Sequence, residues 1–142
     1  MNKEDKQLLL KDLCARLPYG VKLRYVEDLV VKKESHIITL NNIYLEHILN
    51  GDADIKPYLR PMSSMTEEEF ELLKQYSGLE YDQLDLAEFP NNHKCLDFYL
   101  SEIPSYTVIL VFDWLNTHHF DYRGLIEMEL ALEAPEGMYK NV

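Results

Sequence analysis

Cysteine, glycine, arginine and long apolar runs are all scarce in this 142-residue chain. The only two cysteines, Cys14 and Cys95, lack CxxC spacing. Neither a disulfide nor a zinc site is therefore indicated, and both thiols are expected to be buried and reduced, Cys14 on the apolar face of a helix. Five Gly and six Pro exclude a collagenous or linker-dominated chain. The longest unbroken aliphatic and aromatic run covers residues 108–112, far short of the roughly 20 residues of a membrane span. Residues 1–6 mix both charge signs without an apolar stretch, so no signal peptide is expected. Also absent are G-x-S-x-G, a P-loop, H-E-x-x-H and a dinucleotide fingerprint. No cofactor is implied, and an enzyme would have to assemble its site from scattered residues.

What is present suits a folded protein: 46% hydrophobic, 11% aromatic and 27% charged residues. At this length a real core is attainable, and a single cytoplasmic domain over residues 1–142 is expected, with a tail from about residue 137. Fourteen basic against 25 acidic side chains give a net charge of −11. Residues 1–33 carry a net +3 and residues 34–142 a net −14. Such acidity disfavours direct nucleic-acid binding and anionic membrane surfaces. It leaves a protein partner, or a second copy, as the expected associate.

The pattern along the chain is mixed. Asn2 caps a first helix in which Leu9, Leu10, Leu13, Cys14 and Leu17 form one stripe, stopped at Pro18 and Gly20. Val21, Leu23 and Tyr25 alternate with basic residues, and runs at 29–31 and 36–40, separated by a turn at 32–35, complete an antiparallel meander. Asn42 caps a short helix closed by Gly51. Pro57 and Pro61 exclude a central strand from residues 55–62 and predict an extended edge. Thr66 and Glu69 form a capping box that opens a helix expected to bury Phe70, Leu73 and Tyr76 and to end at Ser77 and Gly78. An irregular connection over 79–93, a strand over 96–101, a helix over 105–119 and a short helix over 122–130 follow. The fold class is α+β, a small antiparallel sheet with packed helices.

Three stretches resemble a known family: residues 11–22 (KDLCARLPYGVK), 55–70 (IKPYLRPMSSMTEEEF), and 113–126 (DWLNTHHFDYRGLI) running on to 130–140 (LALEAPEGMYK). They look like a family of short uncharacterised proteins from gut Bacteroidetes and their phages or mobile elements. The resemblance implies a bacterial or phage origin and no activity. Members of that family carry Lys-Gly where this chain has Met128 and Glu129. That glycine would end the preceding helix, so its absence bears on the helix end near residue 128.

Six residues are candidates for binding: Tyr58, Arg60, His119, Asp121, Tyr122 and Arg123. Only four arginines exist, Arg16, Arg24, Arg60 and Arg123; Arg60 stands close to Tyr58 and Arg123 beside Tyr122. Arg60 and Arg123 with Tyr58 and Tyr122 could line an anion pocket; an arginine in so acidic a chain is as readily held by a structural carboxylate. His118 and His119 are adjacent, so on a helix they point about 100° apart and one ion cannot take both. No metal is expected, and a helix C-terminus suits them better. The run Glu67, Glu68, Glu69 and Glu71 could imitate phosphates as a decoy for a nucleic-acid-binding protein, or simply stabilise a helix start. Ten tyrosines exceed Phe and Trp combined and point to interfaces at Tyr19, Tyr58, Tyr106 or Tyr122. The leading expectation is a non-enzymatic interaction or accessory protein. The alternatives are a ligand binder or enzyme with an Arg/His/Asp pocket, and the acidic decoy.

Overall fold

The computed structural model describes residues 2–28, 33–51, 54–79, 89, 90, 96, 100, 101 and 103–139. The fold is α+β, and the chain forms two compact units. Unit 1 holds residues 1–59 and 125–135; unit 2 holds residues 60–124 and 136–142.

In unit 1, helix α1 (Lys3–Arg16) begins at Asn2, whose side chain accepts from the Asp5 amide at 2.8 Å. A 3-10 turn over Leu17–Tyr19 and a left-handed Gly20 end it, as Pro18 and Gly20 predict. The buried face differs from the expected stripe: it is Leu9, Asp12, Leu13 and Arg16, while Cys14 is exposed. The reason is an ion pair turned inward. Arg16 donates to both carboxylate oxygens of Asp12, at 2.7 and 3.1 Å, and both side chains are fully buried. Two charges enter a core only when each neutralises the other, and four-residue spacing lets one helix supply both.

Strands β1 (Lys22–Asp28) and β2 (Lys33–Thr39) form an antiparallel ladder from Lys22↔Thr39 to Asp28↔Lys33. Residues 33–35, expected as a turn, belong to β2; the run expected at 29–31 lies outside the described residues. Helix α2 (Asn42–Asn50) starts one residue earlier than expected, because Asn41 is the cap and accepts from the amides of Ile43 and Tyr44.

Strand β3 (Asp54–Pro61) overturns the expected edge. It pairs antiparallel with β1 over residues 54–57, and parallel with β5 (Leu132–Glu133) at Tyr58 and Leu59. The prolines survive because Pro57 is the last position of the β1 ladder and Pro61 the last of the ladder with β4 (Phe120–Asp121), where a missing N–H costs least. Alternation survives too, with Ile55, Pro57 and Leu59 buried. The antiparallel core of the sheet is thus joined by two short parallel pairs. Leu9, Leu13, Leu23, Ile48, Ile55 and Leu59 anchor the unit 1 core.

No helix covers residues 122–130; consecutive turns do. Leu130 N–H donates to Leu125 C=O and Glu129 N–H to Ile126 C=O, the paired bonds of a Schellman closure. Leu125 and Leu130 pack in the same core, as that closure favours, and Glu129 takes the left-handed position with φ +61°.

In unit 2, a 3-10 turn (Met62–Ser64) leads into helix α3 (Glu67–Ser77), whose Thr66–Glu69 capping box is complete. Helix α4 (Ser105–Thr117) forms where a helix was expected and packs on α3. Phe70, Leu73, Val111, Trp114, Leu115 and Phe120 anchor this core. Of the strand expected over 96–101, residues 97–99 lie outside the described residues; Leu100 N–H donates to Leu96 C=O, a bond of helical spacing, and both leucines are buried. Residues 80–88, 91–95 and 140–142, with most of the expected connection, His93, Cys95 and the chain end, lie outside the described residues.

Two stability outcomes follow. Asp12→Ala or Arg16→Ala alone strands a buried charge and costs about 3–5 kcal/mol in urea unfolding, whereas Asp12→Leu with Arg16→Met recovers most of that loss. Glu129→Gly removes Cβ strain at positive φ and raises stability by about 0.5–1 kcal/mol; an unchanged or lower midpoint would contradict that backbone assignment.

Candidate functional site

The six candidate residues divide between the units: Tyr58 belongs to unit 1, and Arg60, His119, Asp121, Tyr122 and Arg123 to unit 2. Within unit 2 the backbone does bring several together. Arg60 pairs with Phe120 and Pro61 with Asp121, and Arg60 N–H donates to His119 C=O at 2.8 Å.

Their side chains are engaged internally. Arg60 donates from both terminal nitrogens to the two oxygens of Glu69, each at 2.7 Å. The same carboxylate accepts the Thr66 amide at 3.1 Å and the Thr66 hydroxyl at 3.3 Å, so one group serves as both helix cap and arginine receptor. The Arg60 guanidinium lies 4.1 Å from the centroid of Phe120. Phe120 stacks on Trp114 at 5.8 Å, and Trp114 lies 4.1 Å from the ring of His118. A cation, three rings and a carboxylate are thereby tied in one cluster.

Burial would raise the Glu69 carboxyl, but the hydrogen bond and charge of Arg60 and the Thr66 bonds outweigh it and hold the group below its ordinary 4.5. His118 lies below its ordinary 6.5, chiefly through burial; the Glu69 charge opposes this and the Arg60 charge reinforces it.

The other candidates are no more open. His119 is 1% exposed and stacks on Tyr139 with ring centroids 3.8 Å apart, and Asp121 is 5% exposed. Tyr122 donates its hydroxyl to Asn116 at 2.9 Å, and Arg123 lies over the Tyr122 ring at 5.1 Å. Arg60, His119 and Tyr122 thus each have a partner within unit 2. Missed from the candidates is Glu69, whose second oxygen a capping box leaves available; the pairing with Arg60 follows only from the turn between them. Glu71 is likewise paired, with Lys74 at 2.6 Å. Among the described residues no group of three or more His, Cys, Asp or Glu could hold a metal ion. Among them, too, no helix is long and apolar enough to cross a membrane.

Side chains turned to solvent are of another kind. Of the expected interface tyrosines, Tyr122 is buried and Tyr19 and Tyr58 are half-buried, but Tyr106 is 68% exposed. Ile109, three residues on along α4, is 60% exposed; on α3, Leu72 and Tyr76 are 53% and 52% exposed. Tyr76 was expected on the buried stripe with Phe70 and Leu73, but Ser77 takes that place and Tyr76, like Leu72, stands off it. Comparison with known proteins adds no likeness, since no family model, curated protein or solved structure matches the chain.

The two pKa shifts fix a sign. A depressed His118 contributes stability that is full above pH 6.5 and is lost as the pH falls through its folded value; Glu69 does the same from 4.5 downward. Unfolding free energy should therefore fall in two steps on acidification. His118→Gln removes the first and Glu69→Gln the second; variants that keep the wild-type profile would refute the assignment.

Proposed function

We propose that this chain is a non-enzymatic protein-interaction protein that docks a partner on the outward faces of α3 and α4. One observation carries the reading: four large apolar side chains, two of them tyrosines, stand more than half exposed on two helices that pack together. Isolated exposed apolar residues are ordinary, but pairs one helical turn apart on neighbouring helices suit an interface anchored by aromatic groups. The residues that could have built a reactive pocket are meanwhile occupied in holding unit 2 together.

The test is capture by tagged protein from a nuclease-treated bacterial lysate, the source that the family resemblance implies, at low and high salt. The reading expects a protein retained at high salt by the wild type and reduced about fivefold or more by Tyr106→Ser with Ile109→Ser, circular dichroism being unchanged. Equal capture by both, or no protein captured, overturns it.

A further inference from the structure

The exposed charges beside these apolar residues are of one sign. On α3 the outward residues are Glu67, Glu68, Glu71, Leu72, Gln75 and Tyr76. Glu68, Leu72 and Tyr76 recur every four residues and so form one stripe, with Glu71 and Gln75 in the row beside it. Lys74, the single basic residue of α3, is half-buried and tied to Glu71 and to the face of Phe70; α4 has no lysine or arginine at all. On α3, then, two exposed apolar side chains stand beside carboxylates, and the helix packed against it exposes Tyr106 and Ile109.

Resting on the interaction reading above, we propose that the partner presents a cationic amphipathic helix. Its apolar stripe seats on Leu72, Tyr76, Tyr106 and Ile109, and its lysines or arginines face Glu68 and Glu71. Helix-on-helix packing fits a receptor whose own anchors repeat every three or four residues, because ridges on one helix then enter grooves on the other. The carboxylates set which partners are admitted: they attract a basic segment and repel phosphate backbones and anionic lipid.

The probe is a fluorescein-labelled peptide of about 18 residues built only from leucine and lysine, with leucines at i, i+3, i+4 and i+7, followed by anisotropy. Controls are the same composition scrambled to break the stripe, and the stripe kept with glutamate in place of lysine. The proposal expects the first peptide alone to bind well. It expects about tenfold weakening by Leu72→Ser with Tyr76→Ser, and about threefold by Glu68→Gln with Glu71→Gln at low salt, the second effect shrinking as salt rises. Circular dichroism and melting of each variant confirm that the fold is kept. Equal binding of the scrambled peptide, or variants that bind as the wild type does, overturns the proposal. Failure of the peptide alongside a lysate partner lost on Tyr106→Ser with Ile109→Ser overturns the cationic helix and leaves the interaction reading standing.

Discussion

The carboxylate of Glu69 accepts hydrogen bonds from Arg60 on both oxygens while also closing the first turn of α3 through Thr66. The end of β3 and the start of α3 are therefore held by one group, and the Arg60 guanidinium passes the restraint to β4 through the ring of Phe120. Beyond Phe120 the stack continues through Trp114 to His118, the residue at the C-terminal cap of α4. Loss of the carboxylate charge would disturb the helix cap, the strand end and the cation over the ring together, which is why such a half-buried pair matters more here than a lone surface ion pair does.

Local rules carried the reading of the sequence a long way. Asn2, Thr66 with Glu69, and Gly20, Gly51 and Gly78 act at helix ends because capping depends on a few neighbouring residues. Reading failed where a distant partner decides. Pro57 and Pro61 spoke against an interior strand, yet each sits at the end of a ladder whose partner lies far along the chain. Asp12 and Arg16 lie off the apolar stripe expected for α1, yet they pair inside the core. Tyr122 begins a stretch with helical spacing that bends into turns, and Glu129 holds a backbone position that glycine fills more easily. Among the binding candidates, residue type marked Arg60 as a group that a carboxylate could hold, as Glu69 does. It could not tell that Glu69 would be the one to satisfy Arg60 and that His119 would be stacked and buried.

What remains outside is informative because the interior is so fully occupied. Helices α3 and α4 each bury a consistent face, Phe70 and Leu73 on one, Val111, Trp114 and Leu115 on the other. Leu72, Tyr76, Tyr106 and Ile109 are not displaced members of that core but belong to a second phase of the same helices. A helix with two apolar phases buries one of them within its own chain and has the other available for a partner.

The interleaving of the units bears on how the chain is made. Unit 1 is closed by Ala134, whose N–H donates to Leu59 C=O, and by the pairing of Tyr58 with Leu132. Unit 2 uses Tyr139 against His119. During synthesis the helices of both units emerge before either of these late strands and rings, so β3 must wait with one edge unpaired until residues in the 130s leave the ribosome. Residues 132–139 thus act as a clasp fastened after the elements they close, and ribosomal stalling before they appear would leave a nascent chain with its helices made and neither unit completed.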